Sequence, residues 1–95
     1  MENNTFQTEK FIVSVAGKST RSKEDAVNSA FAELRKAVSG KAKGIVVYMK
    51  PVDIQVEYYN EDKINERYLG FLFSRTKISY EVKLNVTMEV SAIDL

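Results

Sequence analysis

Four carboxylates, Asp53, Glu57, Glu81 and Glu89, fall in the only stretches of this 95-residue chain where acid and base groups could converge across a pair of strands. Facing carboxylates can divide the work of general acid and general base. Their spacing is also that of a polar sheet face, on which Lys77 and Lys83 supply opposite charges, and cross-strand pairing accounts for all four. Four tyrosines, Tyr48, Tyr58, Tyr59 and Tyr68, are the weak candidates for holding a planar or anionic small molecule. The segment "GKSTRS", Gly17 to Ser22, leads toward a helix start where Lys18 and Arg21 could attend an anion, or where it serves as a capped loop.

Other chemistry is thin. The chain has no His and no Cys, which removes imidazole bases, thiolate nucleophiles, disulfides and nearly all zinc, copper or haem ligation. Neither G-x-G-x-x-G nor G-x-x-x-x-G-K-[ST] occurs among the four glycines. The residues therefore predict a protein that is not an enzyme, with no catalytic residues, no metal and no cofactor. Fourteen Lys and Arg against thirteen Asp and Glu leave a net charge of +1, so no overall field draws nucleic acid or an anionic membrane. "RYLGFLF" departs from the aromatic RNA-binding signature K/R-G-F/Y-G/A-F-V-x-F/Y, with Tyr68 in place of glycine and Leu69 in place of an aromatic residue. No apolar stretch has the length to span a bilayer and the start has no basic, then apolar, leader pattern, which together predict a cytoplasmic location.

The elements that would position these groups follow from periodicity. One domain spans 1–95, with 1–9 polar and frayed and 60–76 as a hairpin tip or arm. "KFIVSVAGKS" alternates as a first strand. Ser22 is a good N-cap, with Asp25 at capping-box spacing, and Ala26, Val27, Ala30, Phe31, Leu34, Ala37 and Val38 form one apolar stripe. This predicts one helix over 23–39, closed by Gly40 in the left-handed region. In "GIVVYMKPVDIQVEYYN", Val52, Ile54, Val56 and Tyr58 face one way, Ile45 to Met49 are apolar on both faces, and Pro51 marks a bulge or an edge. "KISYEVKLNVTMEV" opens a third, very long strand. A helical variant of 61–69 is the alternative to a hairpin there. The fold class is α+β: strand-helix-strand-strand, one helix packed on a three-stranded antiparallel sheet, with a long hairpin between the second and third strands.

"VSVAGKSTRSKEDAVNSAFAEL" resembles the first half of the dodecins, small bacterial flavin-storage proteins. The matching residues are Val15, Gly17, Ser19, Ser22, Glu24, Ala26, Val27 and Ala30. Tyr80 to Val90 is similar to the final dodecin strand, and the likeness covers about a third of the chain. It implies a dodecin-like core in a family of small cytoplasmic bacterial proteins, assembled into a closed oligomer in which sheets wrap partner helices. It does not carry the ligand across. Dodecins stack flavin on a tryptophan of the second strand and touch it with a glutamine of the third; this chain has no Trp, and Glu81 stands at the glutamine's place.

One helix cannot cover both faces of a sheet, and a contiguous apolar patch is seldom left in water. The sequence thus predicts a homo-oligomeric structural or scaffolding module with Ile45, Val47, Met49, Leu69, Phe71 and Phe73 at subunit contacts. The alternative is a binding or storage protein for a planar aromatic or anionic small molecule, held between subunits.

Overall fold

The structure is a computed structural model, described here for residues 6–68 and 73–94, with side chains described outside 65–75. Strand β1 (Phe6–Ser19) leads through a capped turn into helix α1 (Lys23–Phe31) and helix α2 (Leu34–Lys41). Strands β2 (Ile45–Tyr68) and β3 (Phe73–Ile93) follow as an antiparallel hairpin. The sheet order is β1-β3-β2, so the last strand of the chain is the central one. The expected α+β architecture is therefore present, as is its long hairpin.

Local chemistry explains each boundary. Ser22 is the N-cap, its Oγ accepting from the Asp25 backbone N–H at 3.0 Å, while Glu24 and Asp25 put negative charge on the first turn. The expected single helix carries a hitch at Ala32 and Glu33. Both residues keep right-handed helical dihedrals, but the Glu33 N–H bonds back three residues to the Ala30 carbonyl, a 3₁₀-type turn. Gly40 does not close the helix: it lies within α2, and Ala42 caps the end by donating to the Val38 carbonyl at 2.8 Å. The glycine at positive φ is Gly44, at 82°, where an added Cβ would stand 2.4 Å from the Ile93 carbonyl oxygen.

The frayed start is also corrected: residues 6–9 belong to β1, paired in register from Phe6↔Ile93 to Glu9↔Val90. Residues 1–5 lie outside the described ones. In the arm, β2 runs as strand through Tyr68, so 61–68 takes the hairpin form and not the helical variant. Beyond Ser19↔Tyr80 the first strand stops, and from Asp62↔Ser79 outward the sheet is a two-stranded ribbon. The molecule measures 72 × 25 × 14 Å.

The core lies on one face. Val13 and Val15 of β1, Val82, Leu84, Val86, Met88 and Val90 of β3, and Ala26, Ala30, Leu34 and Val38 of the helices are all buried. Gly17 lets the helix approach: a Cβ there would meet the Ala26 carbonyl oxygen at 1.9 Å and the Ala30 nitrogen at 2.5 Å. The helix lies over β1 and β3 and leaves β2 without helical cover. A helix is roughly 10 Å across and strands are about 4.8 Å apart, so one helix roofs two strands of three.

Candidate functional site: the uncovered half of the sheet

β2 does not keep a simple alternation. Its register against β3 shifts between Val46 and Tyr48, between Pro51 and Asp53, and between Val56 and Tyr58. Each shift leaves one extra residue, Val47, Val52 or Glu57, without a partner and exchanges the faces of those that follow. Pro51 stands at the second shift, as expected. The consequence for the tyrosines was not expected: Tyr58 pairs with Lys83 on the outer face, and Tyr59 pairs with the buried Val82 on the helix side.

On the helix side, directly paired positions place Ile54 beside Val86, Val56 beside Leu84 and Tyr59 beside Val82. Their partners on β3 are buried beneath the helix, yet Ile54, Val56 and Tyr59 remain 44%, 63% and 41% exposed. Between this strip and α1 runs a groove of about 590 Å³ floored by Val82 and Leu84, walled by Val27, Val56 and Tyr59, and rimmed by Lys23, Glu24 and Asn28. Tyr59 Oη donates to Glu61 Oε2 at 2.5 Å, and that carboxylate pushes the phenol pKa up to about 12. The ring thus faces the groove as a neutral phenol across ordinary pH.

The other candidate residues are scattered. Ile45 (opposite Ile93) and Tyr48 (opposite Ser91) sit on the outer face at the foot of the sheet, each about half exposed. Phe6, across β3 from Ile45, adds to that patch. Val47 is a bulge residue, half exposed, and Met49 is partly buried against the core. Thus the first half of β2 is not covered on both sides within the chain, as its apolar sequence had suggested. Leu69 and Phe71 lie outside the described residues; Tyr68 and Phe73 pair with each other in the arm, their side chains also outside them.

The carboxylates do not converge. Asp53 stands opposite Thr87, Glu89 between Lys10 and Lys50, and Glu81 between Lys18 and Asn60, while Glu57 reaches Lys83 at 3.8 Å. Each faces a cation or a neutral polar group, the arrangement of a solvated sheet face. Among the described residues no cluster of three or more His, Cys, Asp or Glu is placed to hold a metal ion. At the start of α1 the polar groups satisfy one another. Ser19 Oγ donates to Asp25 Oδ2 at 2.7 Å, Arg21 donates to Asp25 Oδ1 at 3.1 Å, and the Arg21 N–H bonds Ser19 Oγ. Asp25 therefore turns back to the loop and does not complete a capping box, and "GKSTRS" behaves as a capped turn.

Ile54 and Val56, the centre of the exposed strip, were not among the expected contact residues. Their alternation was visible, and so was the signal that exposes them: one helix of about 10 Å cannot roof three strands.

Fold and strip together define a small α+β subunit with half of its inner sheet face left apolar and open. The chain belongs to the family of the domain of unknown function DUF4312, which matches residues 7–93. No curated protein and no solved structure matches it.

Proposed function

We propose that the protein is a non-enzymatic structural subunit that assembles with copies of itself through the uncovered half of its inner sheet face. The exposed strip Ile54, Val56, Tyr59 carries this reading. Burying a large apolar side chain contributes about 1.5–3 kcal/mol when complete, so covering three that are half exposed favours association by roughly 1 kcal/mol each. The exposed side of the helix presents Lys23, Glu24, Asn28, Glu33, Arg35 and Lys36, a polar surface unsuited to an apolar strip. An isologous contact, strip on strip, satisfies both copies at once. The motif likeness to dodecins agrees with self-assembly and with a bacterial cytoplasmic setting.

Light scattering on a sizing column tests it. The native chain is expected at a single mass that is a multiple of 10.8 kDa. Val56→Asp, at a position already solvent-exposed within one chain, is expected to lower that mass at least twofold while the circular dichroism spectrum keeps its native shape. A native mass of 10.8 kDa, or a Val56→Asp assembly of unchanged mass, overturns the reading.

The groove beside Tyr59 favours one second reading. At about 590 Å³, with an apolar floor, one aromatic wall and a polar rim, it has the size and lining of a site for a planar aromatic small molecule. Visible or near-ultraviolet absorbance beyond that of tyrosine, carried by the freshly purified protein and released on denaturation, would establish it.

A further inference from the structure

The two free edges of the sheet differ. β2 carries Pro51 and three register shifts, the devices that keep a foreign strand from docking on an edge. β1 pairs with β3 over all fourteen of its residues without a shift and contains no proline. In an antiparallel ladder both backbone groups of a residue point the same way, and successive residues alternate. The Ile12 carbonyl accepts from Lys41 Nζ at 2.8 Å, so Ile12 points away from β3. By the unbroken period of two, Ser14, Ala16 and Lys18 present their N–H and C=O groups to the same open side.

Lys41 blunts this edge at Ile12. Past it, residues 14–18 border a groove of about 550 Å³ whose far wall is Ser29, Glu33, Lys36 and Ala37. The open segment is centred on Ala16, a small and exposed residue. We infer that β1 of a second copy adds antiparallel to this edge about a two-fold axis at Ala16, joining two three-stranded sheets into one of six strands.

This rests on the reading that the chain assembles with itself, and adds a second contact to it. Its register follows from charge. An axis at Ala16 sets Ser14 opposite Lys18 of the second copy and Ala16 opposite itself. An axis at Ser14 would set Lys10 against Lys18, like charges directly opposed. Glu33 and Lys36, on the groove wall, are brought crosswise toward their opposites in the second copy. Area supports a second contact as well. The chain exposes 6717 Å², whereas a folded monomer of this mass exposes about 5,500 Å². The difference, about 1,200 Å², exceeds the roughly 800 Å² that one partner contributes to a standard interface.

Because the chain has no cysteine, a single introduced one reports on the axis. Facing residues of a hydrogen-bonded antiparallel pair have Cα atoms about 5.5 Å apart, within disulfide reach. Ala16→Cys is expected to oxidise mostly to a species of twice 10.8 kDa, at least tenfold faster than Ser39→Cys on the exposed side of α2. Ala16→Pro loses no bond to β3, because the Ala16 N–H points outward, and is expected to lower the native mass at least twofold with the fold retained. Equal oxidation rates, or an unchanged mass for Ala16→Pro, overturn the edge pairing. If Val56→Asp still lowers the mass in that case, the apolar strip stands without it; a native monomer overturns both.

Discussion

At the scale of single residues, Asp25 holds together the start of the helix. Hydrogen bonds from Ser19, then from Arg21, hold its carboxyl below the ordinary 3.8. A carboxylate whose folded pKa is depressed contributes stability above the unfolded value and loses it as pH falls through the folded one. Unfolding followed by denaturant should therefore show stability declining below about pH 4, and Asp25→Asn should flatten that acid limb. Ser22→Ala removes the N-cap acceptor and should cost about 1 kcal/mol, read at fixed protein concentration because association shifts apparent stability. Ser22 was legible because a cap is a matter of local spacing. The turn of Asp25 toward Ser19 was not, since it depends on how the loop after β1 folds back. The same holds for Gly40 and Gly44: both end a polar stretch, and only the approach of Ile93 to Gly44 decides which one takes positive φ.

At the scale of elements, the helix and β1 meet at Gly17, where no Cβ can be placed. Gly17→Ala should destabilise the chain by about 3 kcal/mol or more, since the atoms it meets are backbone and cannot swing away. Denaturant unfolding reads this directly; a loss below about 1 kcal/mol would show that the helix can ride outward. The alternation of β1 and β3 was legible over their full central lengths because both run without a bulge. That of β2 was legible only as far as Val56. A bulge inserts a residue with no signature of its own unless a proline marks it, so Pro51 betrayed one shift and the other two passed unseen. Tyr58 and Tyr59 changed faces as a result. The site is for the same reason only half readable: its composition is in the sequence, and its exposure depends on which two strands the helix chooses to cover.

At the scale of the whole molecule, the Cα radius of gyration is 18.8 Å, against about 12.4 Å for a compact chain of this length. The apolar strip and the near-zero net charge make a specific expectation about salt. Contacts driven by apolar burial do not weaken when charges are screened, so the native mass should hold from low salt to about 1 M sodium chloride, where the Debye length is about 3 Å. Dissociation over that range would mean that ion pairs, and not Ile54, Val56 and Tyr59, hold the copies together. The strand order carries a further consequence, for how the chain comes to be folded at all. β1 is synthesised first, but its only partner within the chain is β3, made last, and Phe6 must find Ile93. The β2–β3 hairpin can close as soon as it is made, whereas β1 waits through the making of every other element. Contacts this distant in sequence fold slowly, and during the wait the alternating Phe11, Val13 and Val15 are open to wrong pairings with other nascent chains. Crowded synthesis at high expression should therefore be where this protein most readily aggregates.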